Sequence, residues 1–103
     1  MNWLPPLTKE NAYHIQSKQT IPVEFEIKDA NGAFVHDDSL RLQLKDKNGA
    51  VVIGPVKPKE QASKMYHYNL QLPKLAPGMY TLEVYGDSLG TGEPTHITTI
   101  VEK

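Results

Sequence analysis

Apolar residues recur at every second position in four separate segments of this chain. The segments span residues 21–27, 40–44, 66–72 and 80–84, and mostly polar or charged residues occupy the alternate positions. This alternation is typical of a β-strand with one buried face, whereas an amphipathic helix repeats apolar residues at three- and four-residue spacing. No window of ten or more residues has the helical spacing. The sequence therefore predicts an all-β domain with little or no helix.

Turn-forming residues separate the predicted strands. Asn31-Gly32 and Asn48-Gly49 are short-hairpin signals, because both residue types tolerate the positive φ that such turns require. Ala76-Pro77-Gly78 begins another strand, and residues 86–92 form a glycine-rich loop. The predicted strands are 12–17, 20–29, 33–36, 39–46, 50–56, 66–72, 78–86 and 94–102, with the longest loop from Lys57 to Ser63. This spacing predicts an immunoglobulin-like antiparallel β-sandwich of about seven to eight strands.

The length of 103 residues fits one domain. Residues 1–11, with Pro5 and Pro6, are predicted to be an extended lead-in or linker, and residues 12–103 a single immunoglobulin-like domain. Pro22 interrupts a strong strand and cannot donate a ladder hydrogen bond. It therefore lies on a sheet edge or at a bulge where the strand changes sheets, and we favour the change of sheets.

Charge and composition narrow the range of partners. Lys and Arg total 11 and Asp and Glu total 12, which leaves a net charge of −1 and no basic field for nucleic acid. The longest apolar run, residues 50–53, is too short to span a membrane. Without cysteine there is no disulfide and no thiolate metal site. Residues 2–6 lack a signal-peptide pattern, so an exported protein would carry this domain as an excised piece.

The sequence has no recognisable catalytic arrangement. Each of the four histidines is isolated from any second ligand at metal-binding spacing, and these are His14, His36, His67 and His96. No serine has the context of an activated nucleophile, and the glycine-rich loop has neither the Lys nor the following helix of a phosphate site. We therefore predict no enzymatic activity, no catalytic residues, no metal and no cofactor.

Acidic residues around one hairpin raise the alternative of calcium binding. Asp29, Asp37 and Asp38 bring several carboxylates together in the sequence. Calcium takes six to eight oxygen ligands, and Gly32 comes too early for an EF-hand loop. Asp and Asn beside Gly are also ordinary turn formers, and we favour that interpretation.

Aromatic residues off the predicted core define a candidate ligand surface. Tyr80 follows a Pro-Gly turn and is predicted to be a tyrosine corner, with its hydroxyl bonded to nearby backbone. Trp3, Tyr13 and Tyr85 are the aromatic residues predicted to be exposed. Together they suggest a stacking surface for a polysaccharide.

Four short stretches each contain an aromatic residue, and three of them also contain proline. They are Trp-Leu-Pro-Pro-Leu at 3–7, Ile-Pro-Val-Glu-Phe at 21–25, Tyr-His-Tyr-Asn-Leu at 66–70 and Leu-Ala-Pro-Gly-Met-Tyr-Thr-Leu at 75–82. In this order they resemble the bacterial immunoglobulin-like domains of the PxKF type, with Glu24 where that family has Lys. The resemblance implies an accessory module of secreted or surface proteins, hence an extracellular or cell-surface location and no enzymatic activity.

Three functions follow as alternatives. The first is a non-catalytic spacer or adhesive module whose partners are neighbouring domains of a larger chain or another protein. The second is a carbohydrate-binding module attached to a glycan-active enzyme. The third is a protein-interaction domain that accepts a partner strand at an open edge, near residues 12–17 or 94–102.

Overall fold

A computed structural model of the chain describes residues 2–7, 11–89 and 95–102. The nine strands are β1 Asn2–Trp3, β2 Tyr13–Ile15, β3 Thr20–Glu26, β4 Arg41–Lys45, β5 Val51–Val56, β6 Lys59–Gln61, β7 Met65–Gln71, β8 Gly78–Tyr85 and β9 Thr95–Val101. A single 3₁₀ turn, Asp87–Leu89, is the one helical element of these residues. None of the described residues belongs to a helix long and apolar enough to cross a membrane.

The strands form two sheets that pack face to face. One sheet has the order β1-β3-β7-β6 and the other has the order β2-β9-β8-β4-β5. The predicted immunoglobulin-like β-sandwich is confirmed, although nine strands form rather than seven or eight. All pairs are antiparallel except β2 and β9, which run parallel.

The core lies between the sheets and consists of the alternating residues identified in the sequence. Phe25, Leu44 and Leu82 are completely buried. The Phe25 ring stacks on Tyr66 at a centroid distance of 5.3 Å and meets the edge of Trp3 at 5.8 Å. The four alternating segments thus supply the facing surfaces of both sheets, as the period-two pattern predicted.

The first residues belong to the sandwich rather than to a linker. Asn2 and Trp3 pair with Glu26 and Phe25, and Leu7 is fully buried. The predicted lead-in therefore contributes a short strand, Asn2–Trp3, and two core side chains, Trp3 and Leu7. The segment shows no alternation by which the sequence could have indicated this.

Two short segments also differ from the prediction. Residues 33–36 form no strand and contribute one isolated bridge, Phe34 with Lys28. In contrast, Lys59–Gln61, inside the predicted loop, is strand β6 and pairs with β7. Because β6 is a charged edge strand, its sequence has no apolar alternation by which to recognise it.

The change of sheets predicted at Pro22 occurs elsewhere. β3 pairs with β7 without a shift in register at Pro22, opposite Asn69. β1 pairs with β3 only at Glu26 and Phe25, so none of the described strands lies beside Pro22 on the side away from β7, where a missing N–H is tolerated. The chain instead changes sheets between β1 and β2, which belong to different sheets.

The two predicted Asn-Gly turns have the same hydrogen-bond pattern. The Asp29 carboxylate accepts the N–H groups of Asn31 and Ala33 at 2.8 and 3.0 Å, and Gly32 has φ of 81°. The same bonds recur at 2.8 and 3.0 Å in the turn that Asp46 begins. At the next turn the Tyr80 hydroxyl donates to the Ala76 carbonyl at 2.8 Å, which is the predicted tyrosine corner.

The register of the strands assigns most of the described connecting segments to one of two ends. The segments 27–40, 57–64 and 86–89 lie at the end defined by Glu26 and Tyr85, which we call the His36 end. The turns 16–19, 46–50 and 72–77 lie at the opposite end, which we call the Gly78 end. β1 begins at the His36 end, and β9 finishes at the Gly78 end.

Removing a core side chain should destabilise the domain strongly. Phe25→Ala or Leu82→Ala is expected to lower the free energy of unfolding by about 2–5 kcal/mol, because each leaves a cavity between the sheets. Thermal or urea unfolding measures the change. Met79→Ala is the control, since Met79 is 58% exposed and its truncation should change stability by less than about 0.5 kcal/mol. Equal melting curves for all three variants would contradict the assigned core.

Candidate functional site

The loop before β4 is fixed to the four-stranded sheet by one hydroxyl. Tyr66 is a buried residue of β7, and its hydroxyl donates to the Val35 carbonyl at 2.8 Å. The same hydroxyl accepts the Asp37 N–H, also at 2.8 Å. Burial raises the pKa of Tyr66, against the hydrogen bond from Asp37. The loop therefore takes a defined path over the His36 end.

The Asp37 carboxylate joins two loops at this end. One oxygen accepts the Ser39 N–H at 2.8 Å and the Ser39 hydroxyl, and the other accepts the Ser88 N–H at 2.9 Å and the Ser88 hydroxyl. Partial burial alone would raise the pKa of Asp37, but these four donors outweigh it and hold the pKa well below its ordinary value. Asp37 is therefore a charged cross-link between the loop before β4 and the 3₁₀ turn after β8.

Beside this cross-link lies a cluster of four charged side chains, which we call the His36 cluster: His36, Asp38, Lys57 and Glu60. His36 Nδ1 contacts a carboxylate oxygen of Glu60 on β6, and Nε2 lies 3.3 Å from an Asp38 oxygen. The other Asp38 oxygen lies 3.6 Å from the Lys57 ammonium. A single imidazole thus bridges β6 and the loop before β4.

The two carboxylates favour the charged form of His36. The hydrogen bond that His36 donates to Glu60, then the one that it donates to Asp38, raises the pKa of His36 above its ordinary value of 6.5. The His36 side chain is 62% exposed and that of Asp38 is 72% exposed, so solvent and salt screen the attraction. The cluster is therefore an ionic clasp of modest strength on the surface.

The clasp borders a cavity of about 250 Å³. Its lining consists of Asp37, Asp38, Lys57, Pro58, Lys59, Glu60 and Tyr66. A protonated imidazole held by two carboxylates has no free lone pair with which to accept a proton or bind a metal. Among the described residues, no group of three or more His, Cys, Asp or Glu side chains is arranged to hold a metal ion. The arrangement therefore holds β6 to the loop before β4 by electrostatic attraction between His36 and Glu60.

The carboxylates considered for calcium do not converge. Asp29 is occupied by the N–H groups of its own turn, and Asp37 by the two serines. Asp38 is paired with His36 and Lys57. Each of the three thus has a separate structural partner, and Asp29 has the turn role that the sequence suggested.

The three aromatic residues proposed as a ligand surface lie on different strands. Trp3 on β1 is 8% exposed, so the prediction that it is exposed is wrong, because its ring packs on Phe25 inside the sandwich. Tyr13 on β2 is half-buried and packs against the core. Tyr85 is half-buried at the end of β8, opposite Arg41. The structure does not bring these rings together, and the polysaccharide alternative stays a prediction without a shared aromatic surface.

The histidines are isolated in the sequence, and the fold brings carboxylates to His14, His36 and His67. His14 lies 3.3 Å from a Glu102 oxygen, and His67 lies 3.7 Å from a Glu24 oxygen. His36 and Glu60 are 24 positions apart, and they meet because β6 pairs with β7 beneath the loop before β4. Since β6 itself carries no recognisable pattern, the clasp had no sequence signal.

Sheet edges form the other candidate surface. β2 is an edge strand, as predicted for residues 12–17, but β9 is not, because it lies between β2 and β8. The remaining edges are β1, β5 and β6. Edge strands β1, β2 and β6 have two or three residues each, whereas β5 has six and exposes Val51 and Val52 by 45% and 36%. β5 is therefore the long apolar edge.

The fold places this chain in the class of small immunoglobulin-like β-sandwich domains. Among solved structures, it is similar to CopC from Methylosinus trichosporium OB3b, with a TM-score of 0.56 and 21% identical residues over 88% of this chain and 83% of that chain. The likeness is one of fold. No family model and no curated protein sequence matches the chain.

Titration of His36 tests the clasp. The midpoint is expected above 6.5, and Glu60→Gln should lower it because one charged acceptor is lost. Since the folded-state pKa is the raised one, the stabilisation is complete below the ordinary value of 6.5 while both carboxylates are ionised, and it is lost as the pH rises through the raised pKa. Imidazole NMR signals recorded between about pH 5 and about pH 9 give the midpoint.

Glu102→Gln is the control for that titration, because Glu102 lies beside His14 rather than beside His36. It removes a carboxylate of the same kind and should leave the His36 midpoint in place. A His36 midpoint at or below 6.5, or one that Glu60→Gln leaves in place, would show that the clasp does not form.

Proposed function

We propose that this domain is a non-catalytic accessory module of a bacterial secreted or cell-surface protein that separates its neighbours in line. The observation that carries the proposal is the position of the terminal strands. β1 begins at the His36 end and β9 finishes at the Gly78 end, so a chain that continued in both directions would enter at one end and leave at the other. The bacterial secreted or surface location rests on the resemblance of residues 3–85 to PxKF domains.

The distance added by such a module is its long dimension. The Cα atoms extend over 42 × 26 × 23 Å. Five strands about 4.8 Å apart span about 19 Å and the two sheets lie about 10 Å apart, both well below the longest dimension, so we assign the strand direction to that dimension. Neighbours attached at the two ends would therefore be held apart by the full length of the strands.

Polar cross-links limit bending at both ends. At the His36 end Asp37 and Tyr66 fix the loops, and at the Gly78 end the Tyr80 hydroxyl fixes the turn before β8. The Ser17 hydroxyl also donates to the Pro73 carbonyl at 3.3 Å and accepts the Leu75 N–H at 2.8 Å. Short, bonded loops favour a stiff spacer over a flexible linker.

An array of full-length copies joined end to end tests the spacer. The maximum dimension from small-angle X-ray scattering should grow by about 40 Å per added copy, close to the long dimension of the domain. A matched array with long Gly/Ser linkers should give a broad distribution of lengths. Growth by only the width of the domain, in a compact side-by-side particle, would contradict in-line spacing.

A second role, adhesion by strand addition, is supported by the β5 edge. β5 pairs with β4 on one side only, and Val51 and Val52 are exposed on this edge strand. An extended segment of another protein would gain main-chain hydrogen bonds on the free side of β5. The other edges are short, and β6 carries Lys59 and Glu60, which disfavour pairing. The β5 edge is therefore the part of the domain best suited to accept a strand.

A synthetic peptide copying residues 48–57 is a defined probe for this edge. Its addition should shift the NMR amide signals of Val51–Ile53 saturably, because it pairs with the free side of β5. Val52→Lys should abolish the shifts, since a charge on an edge strand opposes pairing. Met79→Lys is the control, because Met79 is exposed but lies on β8, away from the edge. Shifts that survive Val52→Lys would place the peptide elsewhere.

A further inference from the structure

The parallel pair of β2 and β9 differs from every other pair in the sandwich. Tyr13, His14 and Ile15 align with Thr99, Ile100 and Val101. The Glu102 N–H extends the ladder by donating to the Ile15 carbonyl at 2.9 Å. Ile15 and Val101 are 6% and 1% exposed, so the pair is anchored in the core.

We propose that the β2–β9 pair is a load-bearing clamp that resists unfolding when the domain is pulled from its two ends. The inference rests on the proposed spacer function, because only a module connected in line carries tension between its ends. The proposal gives the spacer a second function, resistance to tension, and assigns that resistance to the three residues of β2, Tyr13–Ile15.

The direction of the two strands determines how force acts on them. Both run from the His36 end to the Gly78 end. Tension on the preceding chain pulls β2 towards the His36 end, whereas tension on the following chain pulls β9 towards the Gly78 end. The strands therefore slide along each other, and all hydrogen bonds of the pair are loaded together. An antiparallel hairpin opened from one end instead loses its bonds one at a time.

β1 is the first contact on the load path. It is also pulled along its axis, but its pairing with β3 covers only Asn2 and Trp3 and is extended by the Leu4 N–H, which donates to the Glu24 carbonyl at 2.9 Å. Once β1 separates and the buried Leu7 side chain leaves the core, tension acts on β2, which begins at Tyr13. Because β2 belongs to the opposite sheet from β1, its attachment does not depend on that of β1. The clamp therefore holds after the first contact has been lost.

The backbone amide of Tyr13 belongs to the clamp. In a parallel ladder, bonds to one neighbour come from every second residue of a strand. Since the Ile15 carbonyl bonds to β9, Tyr13 is also directed at β9, whereas the His14 amide faces away. Tyr13→Pro removes a donor from the clamp, and His14→Gln removes an exposed ion pair but no ladder bond.

Single-molecule force spectroscopy tests the clamp. The chain has no cysteine, so one cysteine added before Met1 and one after Lys103 define an end-to-end pull. Lys74→Cys with the C-terminal cysteine defines a second geometry, in which both handles are at the Gly78 end and the β8–β9 pair is opened from its end. The end-to-end geometry should need the higher unfolding force.

The variants distinguish the clamp from general stability. Tyr13→Pro should raise the end-to-end unfolding rate at fixed force roughly fivefold, as expected for one lost hydrogen bond, and leave the second geometry nearly unchanged. His14→Gln should have little effect in either geometry. Val51→Pro is the control, because Val51 lies on the edge strand β5, outside the load path. At the same loss of equilibrium stability as Tyr13→Pro, it should not raise the end-to-end unfolding rate in this way.

Equal unfolding forces in the two geometries, or an end-to-end rate unaffected by Tyr13→Pro, would overturn the clamp. Such a result in a domain whose arrays are extended would leave the spacer intact. A compact array would contradict the spacer, whereas a high end-to-end force in the single domain would still support the clamp.

Discussion

The whole fold depends on one contact surface, where alternate side chains of two sheets meet without water. Phe25, completely buried between Trp3 and Tyr66, sits on this surface and joins β1, β3 and β7. A chain of about 100 residues has no second core to compensate for a defect, and this one has no disulfide. The period of two is therefore a strict requirement in the long strands, because a shift of one residue would expose every buried side chain.

The same constraint explains which elements the sequence reveals. The long strands and the Asn-Gly turns have local signals, and they form as expected. β1 and β6 have none, because two or three residues cannot show a period, and each becomes a strand only when β3 or β7 offers a free edge. The His36 clasp depends in turn on β6, so a contact between residues 24 positions apart could not be inferred before the topology was known.

Polar groups of the loops at the His36 end form hydrogen bonds within the domain. Four donors satisfy the Asp37 carboxylate, and Tyr66 satisfies two backbone groups of the loop above it. An ionised carboxylate held in this way stabilises the folded state over most of the pH range, and the stabilisation is lost as the pH falls through its lowered pKa. Loops that would otherwise move thus become part of the rigid body, which is what a spacer needs at its ends.

On the outer face of the five-stranded sheet, polar side chains are likewise paired with each other. Glu83 points away from the core yet is only 7% exposed, and one of its oxygens accepts Gln43 Nε2 at 3.1 Å and Lys45 Nζ at 2.9 Å. Because a buried carboxylate is stable only when paired, these side chains are committed to each other rather than to a ligand. The centre of that face is therefore closed to polar recognition. The β5 edge and the two ends lie outside this network of paired side chains, and the terminal strands begin and finish at those two ends.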